Sequence, residues 1–362
     1  MTSEGDASRP SGLSIAELAL RADTVARDAL SVLDGAVPGS ACSGDPDSRA
    51  HCLADLAHHV RYLAQAARSP GDGALEDYLA WLKALFDRLG FRDGGVIASF
   101  RAVGAAAAPL LEAGARAAFL RVTETAAADY PRAGGKGNRY LAGHIEGNAA
   151  AGAYLSALLE GKRELALGVA ESLAAGGQPV RDLYARLWRP AQRELGRLWH
   201  LGEISVAQEH YATAATQYII SSFYPRLFSA SRSGGPTLLA ACAQGERHEM
   251  GLRMIADWFQ AEGWDTRYLG ADLPVRDLVA EVERVRPDVV ALSATLSANV
   301  PWIEAAIAAL RSEERTRGLP VMVGGIPFMV SPELWRAVGA DGCASDFEEA
   351  VRAAEGLARR AS

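Results

Sequence analysis

Residues 245–251, GERHEMG, hold an imidazole and a carboxylate at a spacing suited to binding a metal. His248 stands two residues after Glu246 and three before Gly251, with Arg247 between the acid and the imidazole. A neutral imidazole can bind a metal through one ring nitrogen while its other N–H donates to a carboxylate, which fixes the tautomer and strengthens the ligand. Glu246 is close enough along the chain to be that carboxylate. In LWHLGEISVAQEHYA, Trp199 and His200 precede Glu209 and His210. An aromatic plane beside a carboxylate and an imidazole can hold a nucleoside, by stacking on the ring and by hydrogen bonds to sugar hydroxyls or base nitrogens. Ser293 and Thr295 in LSATLS and Gly324 and Gly325 in VGGIP are small positions. Side by side they leave a slot for something long and flat.

These residues need elements to hold them. Over 235–362, short β-rich runs (TLLAACA, DTRYLG, VVALSAT, PVMVGG, GCAS) alternate with helical stretches. That alternation predicts a Rossmann-like, five-stranded parallel sheet covered by helices on both faces. Such a sheet binds its ligand at the carboxyl ends of the strands. His248 falls after the first run, Ser293 and Thr295 after the third, and the glycine pair after the fourth. Upstream, 138–228 reads as four helices with short connectors, an antiparallel bundle. Gly202 is expected to end the helix bearing Trp199, and Ser205 with Gln208 to open the next as a capping box. Trp199 and Glu209 then flank one connector at one end of the bundle. Pro190, inside the third helix, is expected to kink it.

The segment 13–130 reads as helical throughout, a small bundle or a globin-like fold. Ser14 can cap IAELALRADTVARDALSVL, and further helices are expected over roughly 50–68, 74–89, 94–113 and 114–129, with Gly90 as a stop. His58, His59, Tyr62, Tyr78 and Trp81 fall on two successive helices. Tyr78, Trp81, Leu82 and Leu85 keep helical spacing and read as a core stripe. The alternative is a pocket for a flat chromophore. Two glycine and proline clusters, PRAGGKGN and SASRSGGP, separate the three segments.

Composition narrows the function classes. The chain has 362 residues, enough for two or three cores, and a net charge of −7, which gives no basic footprint for nucleic acid. Apolar residues make up 49%, yet no run reaches the roughly eighteen that a membrane span needs. Residues 1–12 lack the basic start and apolar stretch of a secretory signal and read as a disordered tail of a cytoplasmic protein. Cys42, Cys52, Cys242 and Cys343 show no CxxC spacing, so neither a disulfide framework nor a zinc site is expected.

Taken in order, ExHxxG, SxT and GG resemble the cobalamin-binding domain of methionine synthase, corrinoid methyl carriers and cobalamin light sensors, over about 235–360. The resemblance implies His248 as the lower cobalt ligand, displacing the cofactor's dimethylbenzimidazole. The displaced nucleotide tail would lie in the slot at Ser293, Thr295, Gly324 and Gly325. Glu246 departs from the family, where Asp is usual. Trp199, nine residues, then Glu209 and His210, directly upstream, resembles the cap of the cobalamin-dependent light-sensing repressors of carotenoid genes. That likeness implies adenosylcobalamin, with Trp199 and Glu209 against its 5′-deoxyadenosyl group and His200 as an upper cobalt ligand after photolysis. Those repressors begin with a DNA-binding domain where this chain has Ala-rich helices, so direct DNA binding is not expected. The three-part order resembles the photocobilins, which implies a noncovalent biliverdin in the helical segment near His58, His59, Tyr62, Tyr78 and Trp81. Cys52 leaves a covalent attachment open. The expected protein is a photoreceptor rather than an enzyme, acting on a signalling protein, with a homo-oligomer left open. The rivals are a corrinoid methyl carrier serving a methyltransferase and a cobalamin-regulated antirepressor.

Overall fold

A computed structural model describes residues 12–36, 45–69, 73–134, 144–228 and 234–361. The expected tail, apart from Gly12, lies outside them, as do 135–138 and 229–233 of the two glycine and proline clusters. The chain forms two compact units, Met1–Gly135 with Ser297–Pro301, and Lys136–Leu296 with Trp302–Ser362.

The first unit is helical: α1 (Ile15–Leu20), α2 (Ala22–Ala36), α3 (Pro46–Arg68), α4 (Gly73–Arg88), α5 (Asp93–Ala107) and α6 (Ala113–Asp129). Ser14 opens α1 with a full capping box, its hydroxyl accepting from the Glu17 N–H while the Glu17 carboxylate accepts from the Ser14 N–H. The single amphipathic stretch expected after Ser14 is two helices, because the backbone leaves helical geometry at Arg21 (φ −101°, ψ 17°). Both halves keep their apolar face inward, through Leu18, Val25, Ala29 and Leu30. Gly90, at φ +78°, closes α4 as expected, and the Phe91 N–H reaches back to the Phe86 carbonyl at 2.9 Å. Cys52 is disulfide-bonded. This corrects the expectation of no disulfide framework, since spacing along a chain does not show which thiols a fold brings together.

The second unit begins with α7 (Ala149–Leu159), α8 (Arg163–Ala175), a π-helical turn (Tyr184–Trp188), α9 (Arg189–Leu201) and α10 (Val206–Leu227). Pro190 lies inside a helical run that continues from the π turn into α9, and the π turn directly before it takes up the irregularity left by the missing N–H. Four residues before Pro190, the Arg186 carbonyl accepts a hydrogen bond from Asn148 Nδ2 at 2.7 Å. Asn148 Oδ1 meanwhile caps α7 through the Ala151 N–H at 3.0 Å. Gly202 ends α9 in the left-handed region at φ +74°, and Ser205 with Gln208 forms the capping box of α10.

The sheet follows: β1 (Thr237–Cys242), α11 (Met250–Ala261), β2 (Asp265–Tyr268), α12 (Val275–Val285), β3 (Val289–Ser293), α13 (Val300–Ser312), β4 (Val321–Gly324), α14 (Ile326–Val330), α15 (Leu334–Ala337), β5 (Gly342–Ala344) and α16 (Phe347–Ala361). All pairings are parallel and the order is β2-β1-β3-β4-β5. Each β-rich run of the sequence is a strand. The side chains of β1 and β3 are buried on both faces, so the strands read as continuous apolar runs. Leu238, Ala240, Val289 and Ala291 share one core with Trp258 of α11, Phe347 of α16, and Trp188 and Phe223 of the bundle. The bundle is therefore packed on the sheet domain rather than tethered to it.

Candidate functional site

Strand order reverses between β1 and β3, which makes their carboxyl ends the natural crevice of this sheet. Register lines up Cys242, Ser293, Gly324 and Ala344 side by side along that edge. The loop after β1 is fixed from both sides. The Ala243 N–H donates to the Ser293 carbonyl at 3.0 Å, and the Gly245 N–H donates to the Asp272 carboxylate at 2.7 Å.

Glu246 is fully buried beneath this loop, and its carboxylate is saturated. Oε1 accepts from the His248 N–H at 2.9 Å and lies 2.5 Å from His248 Nδ1. Oε2 accepts from the Thr295 and Leu296 N–H groups at 2.7 and 3.1 Å. One side chain thus orients the imidazole and joins the loops after β1 and β3. The extra methylene of Glu relative to Asp does not prevent either contact. The His248 side chain itself is 58% exposed. Its hydrogen bond to Glu246 raises the imidazole above its ordinary value against the opposing effect of burial, and the charges of Glu246 and of Glu209 on α10 add to the rise. With Nδ1 engaged, Nε2 is the nitrogen left for a metal.

The glycines differ in what they serve. At Gly325, φ +104°, a Cβ would stand 2.0 Å from the Ala294 carbonyl, so the chain itself requires glycine there. At Gly324 the nearest atom to such a Cβ is the Ala344 carbonyl at 3.6 Å, and around Gly251 there is open space. At these two positions the lack of a side chain leaves room beside the strand ends and the His248 loop.

At the bundle end, Trp199 packs partly buried against the main core and His200 is 3% exposed. The Glu209 side chain is 28% exposed, with Oε1 accepting from Thr213 Oγ1 at 2.8 Å and Oε2 lying 2.6 Å from His210 Nδ1. The His210 side chain, 75% exposed, faces outward. Arg247 is exposed, while Ser293 and Thr295 are half-buried. Helical spacing could have shown that Thr213 lies one turn from Glu209. Nothing in the sequence marks Gln192 on α9, whose Oε1 lies 3.2 Å from the Thr213 hydroxyl, or the buried Asp257 on α11.

In the first unit, His59 Nδ1 lies 2.5 Å from the Tyr78 hydroxyl and Tyr62 stacks on Tyr78 at 4.2 Å. Trp81 continues the stack, 6.1 Å from Tyr62. His58 is exposed and does not join them. Burial holds the His59 imidazole down at about 3, so it is neutral. With Cys52 in a disulfide, a thioether there would require that bond to open first.

A nearly saturated carboxylate–imidazole pair at the switch point and a glycine-lined edge suit a metal brought inside a large flat ligand, with His248 as the protein's donor. Residues 236–355 match the B12 binding domain family, and residues 151–222 match a second family of the same description. The sheet and the bundle thus each match a B12 binding domain family over most of their length. The chain is 37% identical over 139 residues to the HTH-type transcriptional repressor CarA of Myxococcus xanthus, a match covering 38% of this chain and 44% of the repressor. It is 34% identical over 148 residues to the HTH-type transcriptional repressor CarH of the same organism, covering 41% and 48%. It is 26% identical over 190 residues to dimethylamine corrinoid protein 1 of Methanosarcina acetivorans, covering 52% and 81%. The chain thus spans less than half the length of either repressor. The relatives named are two transcriptional repressors and a corrinoid protein. Among the described residues no helix is long and apolar enough to cross a membrane.

Proposed function

We propose that this protein is an adenosylcobalamin photoreceptor that signals to a protein partner through a change in the cap, with biliverdin in the N-terminal helical unit as second chromophore. The supporting observation is that the bundle bearing Trp199, His200 and Glu209 shares one core with the sheet whose first loop bears His248, where the Glu209 charge adds to the rise of the imidazole. When bound, the cofactor supplies a cobalt–carbon bond that light can break. His248 serves as lower ligand, oriented by Glu246, while Gly324, Ser293 and Thr295 leave room for the nucleotide tail. Trp199 and Glu209 hold the upper nucleoside, and His200 is the nitrogen donor that replaces it after photolysis. Absorption spectra of the purified protein with adenosylcobalamin, before and after illumination, test the reading. His248→Ala should lose His-on coordination in the dark. His200→Ala should bind adenosylcobalamin and photolyse yet lose the bis-histidine spectrum, whereas an illuminated His200→Ala spectrum matching that of the original protein rejects His200 as the photoproduct ligand.

The likeness to a dimethylamine corrinoid protein favours a second reading, a methyl carrier for a methyltransferase. Such a protein would keep a methyl group through illumination at sensor intensities and give it up to a partner enzyme. For the bilin, the flat faces of Tyr62, Tyr78 and Trp81 beside neutral His59 supply the support. Biliverdin should give a red-shifted band with the full chain and none with a shortened protein beginning at Asn138. Equal bands would move the bilin out of the first unit.

A further inference from the structure

The Glu209 carboxylate is the end of a line of side-chain hydrogen bonds that crosses three helices. Thr213, one turn along α10, donates to Glu209 Oε1 at 2.8 Å, and its hydroxyl lies 3.2 Å from Gln192 Oε1 on α9. Gln192 Nε2 is 3.0 Å from Thr216 Oγ1, and Tyr154 of α7 donates to that same hydroxyl at 3.0 Å. Thr216 and Tyr154 are wholly buried, so the line starts in the bundle core and ends at the half-exposed carboxylate.

The donors and acceptors have one fully consistent order. A threonine hydroxyl carries a single proton, and the ionised carboxylate is a stronger acceptor than an amide oxygen, so the Thr213 proton goes to Glu209. A half turn of the Gln192 amide keeps both partners and reverses its polarity. Tyr154 then donates to Thr216, Thr216 to the Gln192 oxygen, the Gln192 NH2 to Thr213, and Thr213 to Glu209. Each hydroxyl gives one bond and receives one, except Tyr154, which begins the line. Gln192 and Trp199 are seven residues apart on α9, two turns along the same face. The line therefore holds the helix bearing the indole to the helix bearing the carboxylate.

We infer that Gln192 and Thr213 are positioning residues that set the spacing and direction of Glu209 relative to Trp199, and so select cobalamins whose upper group presents ribose hydroxyls over those carrying only a methyl group. This rests on the nucleoside-binding reading of the cap. A methyl group makes no hydrogen bond to Glu209, so its binding gains nothing from the orientation of that carboxylate. A ribose hydroxyl does gain, because a carboxylate held in one direction needs no further ordering when the ligand arrives.

The test is the ratio of adenosylcobalamin to methylcobalamin affinity, measured in the dark on the full chain and on Thr213→Val, Thr213→Ser and Gln192→Met. The original protein should prefer the adenosyl form. Thr213→Val should cut that preference about tenfold, the low end of what a hydrogen bond to a charged group is worth. Gln192→Met should cut it by a smaller factor, and Thr213→Ser should restore it. If the valine variant does not fold, the methionine variant decides. Equal loss of both affinities would make the line merely structural and overturn the inference, as would an unchanged ratio in both variants. Absence of any preference in the original protein would instead remove the nucleoside reading on which it stands.

Discussion

Glu246 shows how much one buried side chain can carry. Its two oxygens take the His248 N–H, face the imidazole, and accept two N–H groups from the loop after β3. A buried charge is tolerated only when it is so fully engaged. Glu246→Gln keeps the shape but has one acceptor oxygen where the carboxylate has two, so it must leave part of this set unpaired. The expected outcome is a fall in cobalamin affinity of about tenfold to a hundredfold, the usual effect of removing a ligand's orienting partner, read by titration in the dark. Affinity equal to that of the original protein would mean that the acid only shapes the loop. The proximity of Glu246 and His248 was legible because they are two residues apart. The bond from Glu246 to Thr295 was not, because the two are 49 positions apart and backbone amides leave no mark in a sequence.

At the scale of elements, what was legible was what is local. The Ser14 and Ser205 capping boxes, the stops at Gly90 and Gly202, and the strands follow from residues within a few positions of one another. The break at Arg21, the π turn and the Cys52 disulfide depend on tertiary packing. So does the seam between α10 and α11. There Tyr184 of the π turn and Tyr224 of α10 each donate to Asp257 at 3.0 Å, and Arg253 donates to Tyr224 and to Ser221. Burial pushes the Asp257 carboxyl up to about 6, against the opposing pull of the two tyrosines and Arg253. A folded value raised above the ordinary 3.8 means that the native state binds the proton more tightly than the unfolded chain. This group's stabilising effect is therefore complete below about pH 4 and lost as pH rises through about 6. Asp257→Asn, neutral throughout, should flatten that part of the profile. Urea midpoints of both proteins from pH 4 to 7 should diverge across the window, and parallel profiles would show that Asp257 does not titrate there.

For the whole molecule, two compact units with separate cores predict two unfolding events. Bundle and sheet should melt together, since they share a core. Adenosylcobalamin at a hundred times its dissociation constant should stabilise that event alone, by about 2.7 kcal/mol. Calorimetry with and without the cofactor would show it, and an equal shift of both transitions, or separate melting of bundle and sheet, would contradict it. Composition foresaw multiple cores. It could not foresee that the bundle and one face of the sheet would pool their apolar residues, because that depends on which helix faces meet.

The bond from Asn148 to the Arg186 carbonyl has a consequence for how this protein can drift. Proline at 190 removes the amide that would ordinarily serve that carbonyl, so the two positions are not free to change independently. A homologue with an ordinary residue at 190 could use Ser or Asp at 148, since either caps a helix. One that keeps the proline needs a side chain that accepts and donates at once. Among descendants of a common ancestor, asparagine at the first position and proline at the second should be inherited as a pair.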